Sequence, residues 1–483
     1  MPCHSCVRSA CGSARIVCGL MGVALVACSV GTAYRKPEIA LSPAWNALPT
    51  QVLAAQGAGG PSAASAWPAA DWWRGFGSAR LDELIEQARE SNDDLAGAIA
   101  RVREADAQLR IAGAPLLPAV DLGATATRER ASVPGQGITL SNAFSPELTA
   151  SYEIDFWGKN RAVRDAARAA AAASRYDQAT VALTVVSSVA STYFQALELR
   201  DRIQVAHQNL ENGQKILRGL SLEQAAGTAT GLDVAQQETT VALLHAAIPP
   251  LEEQFRQTLY ALAVLIGKTP ESIEVASGSL TELNAPRVVA GLPSELLARR
   301  PDIAEAEEQL IGANANITAA RAALFPSIEL TASGGYESSM LSNVLSPSNR
   351  IYAFSAGLTQ PIFHGGALRG ELDYTKARYT ELLASYHKTV LTAFANVESA
   401  LVATQQTAEQ RERQRDAVAK AKRAYEFAQA QMAAGTVNVL TVLNTENALF
   451  SAQDVLVQVE YLHLQSLIDL YTALGGGWRQ SES

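Results

Sequence analysis

Two periodicities alternate along this chain. Val181, Val185, Val189, Tyr193 and Leu197 recur every four residues, which places them on one face of a helix. Val390, Phe394, Val397 and Leu401 form a similar stripe in the second half. Proline is absent from 147–248 and from 362–483, so nothing in these tracts interrupts a helix. The pattern predicts helices near 158–225 and 366–433, each about 68 residues and so ~100 Å long. Return helices are expected near 231–266 and 439–473, the first kinked or interrupted at Pro249-Pro250. Shorter helices are predicted near 78–112 and 294–322.

After each shorter helix the period changes. Pro118 and Pro326 end the helical pattern, and alternation takes over. Val120, Leu122, Ala124 and Ala126 alternate with Asp121, Gly123, Thr125 and Thr127. Leu148, Ala150, Tyr152 and Ile154 alternate with Thr149, Ser151, Glu153 and Asp155. The second half repeats the pattern around Ile328–Ser333 and Tyr352–Thr359. Strands are therefore expected near 119–131, 146–156, 327–335 and 350–360. Each run has about ten residues, the length of a strand that crosses a membrane at a tilt. Two hairpins capping a soluble helical domain would give the same pattern. Pro134-Gly135-Gln136-Gly137 and Leu345–Asn349 read as exposed loops.

The two halves are copies. Ala225-Ala226-Gly227-Thr228 recurs as Ala433-Ala434-Gly435-Thr436, 208 positions later. At the same offset Leu232 matches Leu440, Val234 matches Val442, Glu238 matches Glu446, and Leu116 and Pro118 match Leu324 and Pro326. The chain thus divides into 1–27, 28–70, a first repeat at 71–290, a second at 291–478 and a short tail at 479–483. The segment after the leader is rich in Pro, Gly, Ser and Ala and reads as extended.

Composition narrows the class. Hydrophobic residues reach 48% but aromatics only 6%, which suits long, closely packed, alanine-rich helices. A net charge of −9 argues against nucleic acid, which needs a basic stripe. No apolar stretch in the body of the chain reaches the ~20 residues of a spanning helix. Arg8 and Arg15 precede a short apolar run, 16–27, that reads as a signal peptide and ends in Leu25-Val26-Ala27-Cys28. That tetrad resembles a bacterial lipobox, in which the cysteine is acylated; an ordinary signal peptide with an incidental cysteine is the other reading. All five cysteines lie within this leader, so the mature chain would hold Cys28 alone and no disulfide framework. Ser29, rather than Asp, follows it, the usual sign for passage to the outer membrane.

Catalytic constellations are missing. The histidines His207, His245, His364, His387 and His463 form no i, i+4 metal pair, and no GxSxG elbow is present. Gly267-Lys268-Thr269 ends like a phosphate-binding loop, but Leu262 stands where the first glycine belongs. No enzyme, cofactor or metal site is expected.

Four strands cannot close a barrel, and open edges in hydrocarbon leave backbone groups unpaired. Three chains would supply twelve. The chain resembles the TolC-type outer-membrane efflux channels, in particular the NodT-type lipoprotein branch. The residues that carry the resemblance are Cys28, Tyr34, Pro37, Pro43 and Trp45, then Trp72-Trp73, Phe76 and Leu81. Asp155-Phe156-Trp157-Gly158, Ile248–Glu252, Leu297–Ile303 and Leu474-Gly475-Gly476-Gly477-Trp478 complete it, in order across the mature chain. The resemblance implies a mainly α fold with a membrane β-barrel part. It implies a homotrimer of duplicated helical hairpins lipid-anchored in the outer membrane and reaching into the periplasm. It also implies a passive exit duct of a tripartite pump, with a periplasmic adaptor and an inner-membrane transporter of the resistance-nodulation-division class. Protein secretion through an ABC-type pump and a lipid-tethered periplasmic scaffold are the alternatives.

In such channels the hairpin tips dock the adaptor; here they are Ala226, Gly227, Thr228 and Ala434, Gly435, Thr436. The same residues would also serve as plain tight turns. The channel narrows near the tips, at positions matching Asp233, Leu440, Thr441 and Asn444. Asp233 is equally readable as a carboxylate favoured by a helix N-terminus. Asn444 stands where many relatives carry Asp, and Val437 and Met432 replace basic and tyrosine partners, so closure by helix packing is expected rather than by salt bridges.

Overall fold

The computed structural model describes residues 30–39, 44–46, 68–133, 137–273, 278–286, 288, 291 and 293–479. The expected leader and Cys28 lie outside the described residues. In chain order the elements are α1 (Ala79–Ser91), α2 (Asp93–Gly113), β1 (Ala119–Val133), β2 (Gly137–Ile154) and α3 (Lys159–Ala225). Next come α4 (Gly231–Ala246), α5 (Ile248–Leu265), α6 (Pro293–Leu296), α7 (Pro301–Ala322), β3 (Ser327–Tyr336) and β4 (Arg350–Thr359). The chain continues with α8 (Ala367–Ala433) and α9 (Val439–Ala473). α3 and α8 have 67 residues each, the length that proline-free sequence allows. The first return helix is interrupted at Ala247, between α4 and α5, where Pro249 and Pro250 start a new helix and cannot continue the old one.

The chain forms two compact units, each gathering parts of both repeats. One holds the four strands with residues 101–174 and 305–386 and the start of the chain. Its strands make one antiparallel sheet in the order β1-β2-β3-β4, with β1 and β4 open on their outer edges. The register keeps the two alternating sets apart. Leu122 faces Leu148, Tyr152 faces Leu330, and Ala332 faces Phe354, so the apolar set shares one side. That side is bare: Leu122, Tyr352 and Phe354 are 81%, 77% and 80% exposed.

β2 is longer than its sequence suggests, since it begins at Gly137 and not near 146. Pro146, where the expected strand begins, pairs with Ala124 within an unbroken β1–β2 ladder. Phe144 exchanges backbone bonds with Ser338 of the β3 side, so the N–H missing at Pro146 belongs to that side as well. The β2–β3 ladder accordingly lapses at Pro146, and the β1–β2 ladder does not.

Where strand gives way to helix, Asp155 accepts the N–H groups of Asn160 and Arg161 at 2.9 and 2.8 Å, closing the first turn of α3. Trp157 stacks on Phe325 at 4.7 Å and donates its indole N–H to the Pro326 carbonyl, joining this junction to its counterpart in the second repeat. The start of the described chain is ordered by side chains of α7. Arg321 donates to Val30 O, Asn314 to Thr32 O, and Lys36 pairs with Glu307. Residues 30–39 of the extended segment thus form no helix or strand, yet side-chain contacts fix their course.

The second unit holds residues 39–100, 175–304 and 387–483. Val185, Val189, Tyr193 and Leu197 of the predicted stripe are buried with Trp72, Trp73, Phe76 and Leu84. Trp72 stacks on Tyr471 at 4.8 Å. Gly475, Gly476 and Gly477 all have positive φ, and a side chain on them would strike the backbone of Arg299, the Leu183 side chain and the backbone of Ala69 respectively. Only glycines let this turn lie against three neighbours at once. One 18-residue window of α3 is long and apolar enough to cross a membrane by composition, contrary to the reading from sequence. The window is 44% buried inside the fold.

Candidate functional site

Both long helices end in the same reversal. Gly227 N–H donates to Gln224 O and Thr228 N–H to Glu223 O, each at 2.9 Å. Gly435 and Thr436 repeat the pair with Met432 O and Gln431 O, again at 2.9 Å. These are Schellman motifs, and the glycines adopt φ of +79° and +70°, where a Cβ would strain the backbone. The Thr228 and Thr436 hydroxyls donate to Glu223 O and Gln431 O, both at 3.0 Å. Ala226, Gly227, Thr228, Ala434, Gly435 and Thr436 are all exposed.

The return helices start differently. Thr230 Oγ1 accepts from Asp233 N–H at 3.2 Å, while the Asp233 carboxylate accepts from the Thr230 amide at 2.8 Å and its hydroxyl at 2.7 Å. This capping box satisfies two otherwise orphaned donors, and those hydrogen bonds hold the Asp233 carboxyl below its ordinary pKa. In the second tip Asn438 Oδ1 accepts from Thr441 N–H at 3.2 Å and from its hydroxyl at 3.0 Å.

The tips are packed side by side. Leu220, Val439 and Leu443 form a buried cluster, with Ile216, Ala229, Val234 and Met432 against it. Met432 therefore fills apolar space. Val439, Val442, Leu443, Glu446, Leu449 and Phe450 make the buried face of α9. Leu440, Thr441 and Asn444 lie on the opposite, exposed face, and Leu440 is 47% exposed. The structure therefore brings together three of the four residues expected at the constriction. Asp233, half-buried on α4, is engaged in its helix cap.

Glu446 is a residue that sequence reasoning passed over. Its carboxyl is fully buried beside Gln237, whose amide donates to Gly213 O at 2.8 Å. Burial pushes the Glu446 pKa up to about 7, with the nearby Gln237 opposing slightly. Both carboxylate oxygens and Gln237 Oε1 lack hydrogen-bond partners. A protonated Glu446 can supply the missing donor. Tyr425 of α8 faces the same group, and its phenol is raised to about 12 by burial and by Glu446. The signal in the sequence was position: Glu446 falls three and four residues from Leu443, Val442 and Leu449, on the apolar stripe.

Farther along α9, His463 is buried and shares a 3.1 Å contact with Thr407 Oγ1. Burial first, then Arg411 and Arg415, lowers its pKa to about 4. Among the described residues no group of three or more His, Cys, Asp or Glu could hold a metal ion. The arrangement is one of interlocked helices and a polar–apolar exposed stripe, fit for closing or lining a passage.

The family model described as outer membrane efflux protein matches residues 84–268 and again 292–476. The chain belongs to the outer membrane efflux protein family. Its two matches begin 208 residues apart, the offset of the internal repeat. The chain is 40% identical to the pyoverdine export outer membrane protein OpmQ of Pseudomonas putida, covering 95% of this chain and 96% of that protein. It is 32% identical to the cation efflux system protein CusC of Escherichia coli O157:H7, over 95% and 98%. The crystal structure of the Campylobacter jejuni CmeC outer membrane channel superposes with a TM-score of 0.85 at 26% identity, over 94% of this chain and 96% of that one. This member of the efflux family is an outer-membrane exit duct of an efflux pump. Its fold is the mainly α architecture with a β-barrel part that the sequence implies.

Proposed function

We propose that three copies of the chain pool their strands into one twelve-stranded barrel and their helical hairpins into one tube. The observation that carries this reading is the sheet. Its outer strands are unpaired on one edge, and its apolar side exposes Leu122, Tyr352 and Phe354. Closure with neighbouring chains satisfies the edges, and lipid covers the apolar side. A periplasmic adaptor docks on the tips at Ala226–Thr228 and Ala434–Thr436, and an inner-membrane transporter of the resistance-nodulation-division class drives the cargo. Cys28 carries the lipid anchor. Val30, two residues on, is held by Arg321 near the start of β3, which supports an anchor on the membrane side.

Near the tips, Leu440, Thr441 and Asn444 line the constriction and Asp233 fixes the neighbouring hairpin. The cargo is a small organic compound of the pyoverdine class, supported by the higher identity to the pyoverdine exporter than to the cation system protein. A disruption strain tests this. Pyoverdine-class compounds should accumulate in the cells, and the intact gene should restore their release. Normal release with altered sensitivity to metal ions would assign the cargo to the other class. Cysteines placed at Thr228 and Thr436 should cross-link to the adaptor, whereas cross-links only to other copies of this chain would remove the tips from docking.

A further inference from the structure

Charge on the four strands is sorted by face. The register puts Asp121, Glu129, Glu147, Glu153 and Glu329 on the polar side of the sheet. Arg128, Arg130 and Arg350 fall on the other side, in line with Leu122, Leu148 and Phe354. No strand carries Lys or Arg on the first side, or Asp or Glu on the second. A polar face merely washed by solvent has no need of such sorting.

Position along the strand explains how arginine is tolerated on a lipid-facing side. Arg128 lies nine residues beyond Ala119. That is roughly 30 Å along a strand at ~3.4 Å per residue, and ~23 Å along the membrane normal for a ~40° tilt. The apolar band of an outer-membrane barrel is ~25 Å tall, so Arg128 stands at its far edge and Arg130 just past it. Arg350 opens β4 at the loop end. Phe144, Tyr336 and Tyr352 occupy rows at that boundary, where aromatic side chains mark the interface. All three arginines are exposed, and none has an ion pair among the described residues. Arg128 and Arg130 are about 7 Å apart on one side of one strand, close enough for two guanidinium groups to meet one phosphate.

We propose that Arg128, Arg130 and Arg350 form a rim site for the phosphate groups of the anionic lipid in the outer leaflet, lipid A. The site rests on the reading that the apolar side of the sheet meets the membrane. Each arginine keeps its stem along the apolar band and carries its guanidinium to the headgroup level.

The test uses the full-length protein reconstituted into phosphatidylcholine vesicles containing lipid A, with the lipid retained after detergent extraction measured by native mass spectrometry. Wild type should retain lipid A and should retain dephosphorylated lipid A at least about tenfold less. The triple variant Arg128→Gln, Arg130→Gln, Arg350→Gln should lose lipid A to the same extent, while Glu147→Gln on the polar side keeps it. Inorganic phosphate should not displace the lipid. Equal retention by the triple variant, equal retention of the dephosphorylated lipid, or displacement by free phosphate would each overturn the site. Vesicle insertion and heat-modifiable migration on a gel are followed in parallel. A wild type that fails to insert contradicts the membrane reading itself, whereas a triple variant that inserts and still holds lipid A contradicts the rim site alone.

Discussion

At the first tip Thr230 and Asp233 exchange three hydrogen bonds, and the return helix breaks at Ala247 after only 16 residues of α4. At the second, Asn438 caps with a neutral side chain and α9 runs for 35 residues without a break. The same repeat position also changes environment: Glu238 is exposed on α4, and Glu446 is buried on α9. One reversal, inherited twice, therefore leads into two different helices. The first hairpin is pinned locally at its cap. The second depends on a long packed face that includes an ionisable group, and it presents Leu440 and Asn444 on the opposite face. Duplication supplies two like turns, and divergence after the turn gives the two hairpins different packing.

The largest expected effect is on the buried carboxyl. The Glu446 pKa is raised from 4.5 to about 7, so its contribution is fully present below pH 4.5 and is lost as pH rises through 7. The difference between the two limits is about 3 kcal/mol. Protection of the start of α9 from hydrogen exchange, corrected for intrinsic rates, should fall across this window and become insensitive to it in Glu446→Gln. Glu238→Gln should change nothing. Equal effects of the two substitutions would erase the contrast between the hairpins.

His463 pulls the other way. Its pKa is lowered to about 4, so its contribution is present above pH 6.5 and is lost as pH falls towards 4. In the wild type the two slopes oppose each other. In Glu446→Gln the thermal midpoint should therefore rise between pH 4 and 6.5. A flat profile in that variant would show that His463 is not buried as a neutral ring.

Smaller effects attend the caps. Thr230→Ala and Asn438→Ala each remove an N-cap and should cost about 1 kcal/mol, read as increased exchange in the first turn of α4 or α9. Only the first should also change its response to acid: the Thr230 hydroxyl lowers the Asp233 pKa, so the wild-type cap weakens as pH falls through the carboxylate range, and Thr230→Ala should lessen that acid sensitivity. An acid-sensitive second cap would mean that the neutral pair Asn438–Thr441 is not the one that holds it.

Much of this was legible in the residues. Four-residue spacing and the absence of proline gave α3 and α8 nearly to their ends, and alternation gave the two sides of the sheet. The 208-residue offset located both turns, because a positive φ after a helix selects glycine. The first part of β2 was not legible, since whether a strand runs on through Pro146 depends on which neighbour its missing N–H would have faced, and pairing is a property of the whole sheet. Asp233 could be either gate or cap from sequence; Thr230 three residues earlier was the sign of the capping box. Glu446 stood in an apolar stripe, but its burial depends on Gln237 and Tyr425, which are remote in sequence and reach it only through the fold.

The constriction is tested most directly by single-channel recording of the full-length protein in planar bilayers. Wild type should open rarely from its resting state. Leu440→Ala, which shortens the exposed apolar side chain at the second tip, should raise the closed-state leak, and Leu232→Ala at the matching position of the first tip should raise it much less. An unchanged leak in Leu440→Ala, or equal leaks in the two variants, would contradict a gate built on the second hairpin.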